Sequence, residues 1–198
     1  MKPRSIEERW SAGKELRRDV PRAAHAAWTL GSAARDPVEI IERSSEGRLA
    51  ELIPMRYGRM LGSPFTFLRG AAALMAHDLA NTPRTGLEVQ VCGDCHLLNF
   101  GMFATPERNL IFDVRDFDET LRAAWEWDLK RLAASFVVAG RLNGLGEPPL
   151  KAVSAALSQS YRLHMRDYAR MSPLEVWYER VSADDLIAMA PDEASRKR

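Results

Sequence analysis

The chain has 198 residues, enough for one domain with a core of its own. Hydrophobic residues make up 46% and charged residues 28%, the proportions of an ordinary globular protein. With 28 basic against 27 acidic side chains there is no overall field to gather nucleic acid or anionic lipid. The N-terminal stretch MKPRSIEERWSAGKELRRDV has no apolar leader, and the longest strongly apolar run, around Ala71 to Ala76, is far too short for a bilayer span; a cytoplasmic protein is expected, with no membrane or nucleic-acid partner.

Taken in chain order, residues 5 to 18 read as a helix with Ser5 as N-cap and Glu8 completing a capping box. Pro21 permits a short helix through Trp28, and Asp36-Pro37 opens another to about Arg43. The segment Arg48 to Leu61 is apolar and basic, with Pro54 and Gly58 interrupting it. Ser63-Pro64 then starts a single helix, FTFLRGAAALMAHDLA, with Leu68, Ala72, Met75 and Leu79 at helical spacing. A turn at Thr82 to Gly86 leads into a strand, Leu87 to Val91. Two short strands follow, Phe100 to Phe103 and Leu110 to Val114, joined by residues 105 to 109.

Everything beyond is helical in character. Leu121 to Leu142 carries Trp125, Leu129, Leu132 and Phe136 on one face, with Glu126 and Lys130 paired at i,i+4 on another. Pro148-Pro149 starts a helix to about Met171, and two short helices follow Pro173 and Ser182. The basic clusters, Arg4 to Arg18 and Arg196 to Arg198, read as a solvated helix face and a tail. The fold class expected is mainly α with a small β insertion (α+β). It is one domain, with a helical region over 1–62, a core over 63–145 and C-terminal helices over 146–198.

Between the first two strands lies VCGDCHLLNFG, residues 91 to 101, and it can be parsed in two ways. Cys92, Cys95 and His96 spell C-x-x-C-H, the string of covalent haem attachment. That attachment belongs to exported compartments, so no haem is expected. A zinc site would need further ligands, and His25, His77 and His164 are scattered singly. Cys92 and Cys95 then read as small buried fillers.

The other parse follows the oxygens. Phosphoryl transfer needs a carboxylate to orient and deprotonate the attacking hydroxyl, and hard oxygen ligands to hold Mg²⁺ against the phosphates. Asp94 at a strand end supplies the first, and Asn99, five residues on, can fold its amide towards the same metal. The hairpin then returns the chain so that Asp116, in Asp113-Val-Arg-Asp116-Phe117-Asp118, lies alongside. Taken singly, each of these residues reads as a turn cap. Taken together, their spacing favours the functional reading.

GDCHLLNFG resembles the H-G-D-x-H-x-x-N catalytic segment of aminoglycoside phosphotransferases, choline kinases and related protein-kinase-like enzymes. IFDVRDFDE resembles their magnesium-binding strand, and EWDLKRLAA the helix that follows it. RYGRMLGSPFTFLRGAA, QVCGDCHLLNFG, FDVRDFDET and WEWDLKRLAASF together are similar to the bacterial domain-of-unknown-function family 2252, over roughly residues 10 to 180.

The resemblance implies part of a protein-kinase-like catalytic lobe and a phosphotransferase using ATP and Mg²⁺ on an unknown small-molecule acceptor. It makes Asp94 the catalytic base and His96 its supporting histidine. Asn99 and Asp116 become metal ligands, with Asp118 or Asp113 as substitutes. Asp128, beside Trp125 and Leu132, becomes the buried helix carboxylate that braces the catalytic loop. No glycine-rich phosphate cover precedes Asp94, and no lysine occurs between Lys14 and Lys130. Arg69 is the substitute for the phosphate-binding lysine, ahead of Arg56 and Arg59. Longer members of the resembled family place a glycine-rich, Lys-containing segment after the catalytic loop. The chain is therefore expected to be an N-terminal portion, inactive alone or completed by a companion chain. The competing reading is a non-catalytic helical scaffold that keeps the loop for structure.

Overall fold

A computed structural model describes residues 4–28 and 35–189; the tail Arg196 to Arg198 lies outside the described residues. Helix α1 (Ile6–Asp19) starts on a closed capping box, in which the Ser5 amide donates to the Glu8 carboxylate at 2.6 Å and the Glu8 amide to Ser5 Oγ at 3.2 Å. α1 buries no residue of its own. Its Arg9 guanidinium reaches the Ala169 carbonyl at 3.2 Å. The segment after Pro21 forms a 3-10 helix over Arg22–Ala26, stopping short of Trp28.

α2 (Pro37–Arg43) is capped by Asp36, whose Oδ1 accepts from the Val38 and Glu39 amides. α3 (Ile53–Met60) runs through both expected interruptions, because Pro54 sits in the first helical turn where no amide hydrogen is needed. The expected single helix after Ser63 is two, α4 (Pro64–Gly70) and α5 (Ala72–Ala80), broken at Ala71 with φ −115° and ψ 38°. Two guanidinium groups, half-buried Arg56 and buried Arg131, hold carbonyls at that break: Arg56 Nη2 donates to Gly70 O and Arg131 Nη2 to Leu68 O, each at 2.7 Å. Met60, Ala71 and Leu74 form a buried cluster on which Ile40, Ile41 and Tyr57 pack, joining α2, α3 and α5.

β1 (Glu88–Val91) pairs antiparallel with β4 (Leu121–Ala124), in the register Glu88 to Ala124 and Val91 to Leu121. β2 (Phe100–Ala104) and β3 (Leu110–Val114) form a hairpin extended by the two-residue β5 (Val181–Ser182). The order is thus β1-β4 in one sheet and β2-β3-β5 in the other. Residues 121 to 124 are therefore strand and not the start of the long helix, which is α6 (Glu126–Leu142).

The most buried positions of α6 are Glu126, Arg131, Ser135 and Gly140, not the Trp125, Leu129, Leu132 and Phe136 stripe. The Glu126–Lys130 pair does not form either. Glu126 is 3% exposed, and its Oε1 accepts from the Thr85 amide and hydroxyl, each at 2.8 Å; Lys130 Nζ donates to Thr82 Oγ1 at 2.9 Å. Both side chains fasten the 82–86 turn that precedes β1. α7 (Glu147–Tyr168) crosses α6 where Gly140 lies so close that a Cβ there would meet Leu150 Cδ2 at 2.4 Å. Trp125 stacks on Tyr161 of α7, ring centroids 5.6 Å apart. α8 (Pro173–Tyr178) and α9 (Ala183–Met189) complete a mainly α protein with a small β part. No described helix is long and apolar enough to cross a membrane.

Candidate functional site

The strand order sets two loops side by side. Residues 92 to 99 leave β1 for the hairpin, and residues 115 to 120 return from it to β4, which lies against β1. The loops are tied across: the Arg115 amide donates to Asn99 O at 2.9 Å, and Thr120 Oγ1 to Val91 O at 2.7 Å. Asn99 Nδ2 donates to Asp116 O at 3.0 Å and to Asp94 O at 3.1 Å. Gly93 makes the close approach possible. Its φ is +84°, and a Cβ there would stand 2.0 Å from Glu119 O.

From beneath, the first loop rests on a polar stripe of α6. Asp128 Oδ2 accepts from the Cys92 amide at 2.7 Å and Oδ1 from the Gly93 amide at 3.1 Å. One turn on, Arg131 holds the Asp94 carboxylate: Nε donates to Oδ1 at 2.8 Å, and Nη2 reaches the same oxygen. Another turn on, Ser135 Oγ, with no exposure, accepts from the Leu97 amide at 2.9 Å. Positions 128, 131 and 135 recur at i, i+3 and i+7, one helix face. Arg131 and Ser135 escape a reading of the sequence built on apolar periodicity. The signal that finds them is polar periodicity continuing from Asp128.

Asp94 keeps Oδ2 free of a strong partner, with His96 Nε2 at 3.5 Å and a fifth of the side chain exposed. Burial pushes its carboxyl above the usual aspartate range; Arg131 pulls it back, Asp116 adds to the rise and Arg69 opposes it. His96 is lowered to about 4 by burial, reinforced by the charges of Arg131 and Arg69. It is thus neutral near pH 7. Its Nδ1 accepts from the Leu98 amide at 3.1 Å, so the ring proton sits on Nε2, facing Asp94.

The sign of the His96 effect follows from linkage. The unfolded histidine titrates near 6.5 and the folded one near 4, so between those values only the unfolded chain takes the proton. Stability present above pH 6.5 is lost as pH falls towards 4, by about 3 kcal/mol in the limit for this side chain. Asp94 and Asp128, both raised by burial, act in the opposite direction. Urea melts of wild type and His96→Gln isolate the histidine: the gap between the two should narrow from pH 7 to pH 4.5. A gap independent of pH contradicts the assignment.

The remaining expected residues divide clearly. Asn99 is 5% exposed; its amide nitrogen is spent on the Asp94 and Asp116 carbonyls and on Cys92 Sγ, while no donor reaches its Oδ1 among the described residues. Asp116 is exposed, and its Oδ1 accepts from the Asp118 amide at 3.1 Å. Asp118 is exposed too, and Asp113 turns its Oδ1 to the Val114 amide at 2.7 Å. Arg69, exposed on α4, is near enough to pull on both Asp94 and His96. Arg56 is committed to Ser44, Ser45 and Gly70. Arg59 is exposed on α3.

Cys92 and Cys95 are free and buried. Burial raises both thiols, Cys95 to about 12, so they stay protonated at neutral pH. Cys92 Sγ also bonds, accepting from Asn99 Nδ2 at 3.4 Å and donating to Asp116 O at 3.5 Å. Among the described residues no three His, Cys, Asp or Glu side chains group as a metal site.

A family model matches residues 48–198 of the chain, and its description reads "Uncharacterized protein conserved in bacteria (DUF2252)". No curated protein and no solved structure matches.

Proposed function

The chain belongs to this bacterial family, DUF2252, and from the residues of its loop we propose that it is a kinase-like phosphotransferase domain acting on a small-molecule hydroxyl. The observation that carries the reading is the treatment of Asp94. A partly exposed carboxylate is fixed through Oδ1 by a buried arginine, with Oδ2 left open, on a loop braced by Asp128 and Ser135. A carboxylate that only capped a turn would not need a buried cation spanning α4, α5 and α6.

In this role Asp94 Oδ2 takes the proton of the acceptor hydroxyl as that oxygen bonds to the γ-phosphorus of ATP. The bond to the bridging oxygen breaks, and ADP leaves with its electron pair. The neutral His96 ring, its Nε2–H facing Oδ2, helps aim the carboxylate without competing for the proton. Asn99 Oδ1 and Asp116 offer hard oxygen donors on two loops bonded to each other, a set that suits Mg²⁺. The bound cation would neutralise the phosphate charge there. Arg69 supplies an exposed guanidinium beside Asp94 for the phosphates, where a lysine would otherwise stand.

The test is titration calorimetry with ATP, with and without magnesium. Wild type should bind only with the metal, and Asn99→Ala and Asp116→Ala should each weaken binding at least about tenfold. Asp94→Asn should retain the nucleotide and lose turnover. No magnesium-dependent binding by a cooperatively folding wild type ends this reading. It would favour the scaffold alternative, in which Asp94→Ala lowers stability and touches no ligand.

A further inference from the structure

Through Gly93 the braced loop also borders a cleft of about 340 Å³. One wall is α5, presenting Ala73, Ala76 and Leu79; the other is the 118–121 segment, and Trp127 and Arg131 close the bottom. Arg131, which holds the Asp94 carboxylate, and Gly93, next to Asp94 in the chain, both line the cleft. The cleft is thus an extension of the candidate site.

Its interior chemistry is specific. Arg131 is 2% exposed, and a guanidinium carries five N–H donors. Nε and Nη2 are spent on Asp94 and Leu68, but the sole partner of Nη1 among the described residues is the Met75 thioether at 3.4 Å, a weak acceptor. Met75 lines the same cleft. A buried donor with so poor a partner calls for an oxygen from a ligand. The charges along the cleft are largely cancelled already, Arg131 by Asp94 and Glu119 by Arg48 at 3.1 Å, leaving Asp118 exposed at the rim. A charge-balanced slot lined largely by apolar side chains, with a guanidinium short of an oxygen partner, disfavours an ammonium against Arg131 and a carboxylate beside Asp118.

We propose that this cleft binds the phosphate acceptor, and that the acceptor is a compact neutral alcohol with an apolar body and an oxygen for Arg131 Nη1. The acceptor role rests on the phosphotransferase reading; the ligand class rests on the cleft alone. Three probes of one shape separate the possibilities: phenylpropanol, phenylpropylamine and phenylpropionate, followed by ligand-observed NMR and calorimetry.

Phenylpropanol should bind at least about tenfold more tightly than the amine or the acid. Its binding should vanish in Ala73→Trp, which fills the cleft from an exposed helix position. Ala76→Leu fills it more gently and decides the matter if the tryptophan variant does not melt cooperatively. No phenylpropanol binding, binding that survives both fillings, or equal or better binding of either charged probe overturns the proposal. Titrating wild type with magnesium and ATP in parallel keeps the two readings apart. Nucleotide binding without alcohol binding defeats this inference alone. Alcohol binding without nucleotide binding defeats the acceptor role and leaves a binding site for neutral alcohols.

Discussion

Arg131→Met should cost about 3–5 kcal/mol of folding stability, the range for removing one partner of a buried ion pair. The side chain is 3% exposed and serves three elements at once: Asp94 in the loop, Leu68 O on α4 and Met75 on α5. Methionine fills much of the volume, so the loss falls on charge and hydrogen bonding and little on a cavity. The variant leaves Asp94 half-buried with its main cation gone. Arg131 is the largest influence holding that carboxyl down, so its removal lets the carboxyl rise further.

A carboxyl raised in the folded state favours folding at low pH, and that advantage disappears as pH climbs through the folded value. The deficit of Arg131→Met relative to wild type should therefore be small near pH 4.5 and grow towards pH 7. Urea denaturation at the two values measures it. Arg131→Lys should recover only part of the loss, since a compact ammonium cannot reproduce the Nε and Nη2 fork while also reaching Leu68 O. A deficit equal at both pH values would mean that the charge of Asp94 is not what Arg131 holds.

Local signals read well from the sequence. The Ser5–Glu8 box, the Asp36 cap and the Ser63 cap each need only residues within three positions, and each is present. The β2–β3 hairpin is local in the same sense. Failures came where distant groups decide. Leu121 to Ala124 has a helix-forming composition but pairs with β1, thirty positions earlier at Val91 to Leu121. Gly70 alone did not mark the break at Ala71, which is fixed by guanidinium groups from Arg56 and Arg131 holding the carbonyls of Gly70 and Leu68. Arg131 and Ser135 give no signal in the apolar periodicity of α6, yet a helix packed against a loop must offer that loop hydrogen bonds, since the loop cannot satisfy its own amides.

The same rule explains what could be seen of the site. Asp94, Asn99, Asp116 and Asp128 stand out as a spaced motif, and the two loops that carry Asn99 and Asp116 are hydrogen-bonded to each other. Arg131 does not stand out, because charge alone does not reveal burial, nor does Ser135, because serine is ordinary anywhere. The cleft was equally hidden. Its lining comes from Ala73, Leu121 and Trp127, which no motif connects.

Asp128→Ala is the second large effect, expected at about 3–5 kcal/mol, since a charged acceptor contributes roughly 1.5–3 kcal/mol per hydrogen bond. Two amides lose their partner together, those of Cys92 and Gly93, and Gly93 cannot retreat because Glu119 O packs against it. Asp128→Asn keeps one acceptor oxygen and should lose about half as much. Hydrogen exchange distinguishes a brace from a general stabiliser. Protection should collapse at Cys92 and Gly93, persist at Leu97 where Ser135 still accepts, and persist through the middle of α6. Uniform loss along α6 would show that Asp128 supports the helix and not the loop. Asp94 lies between the Asp128 and Ser135 anchors, so freeing the first leaves its carboxylate tied only through Arg131. Asp128→Ala should then reduce any turnover that depends on Asp94 more than it reduces nucleotide affinity, a split that global unfolding cannot mimic.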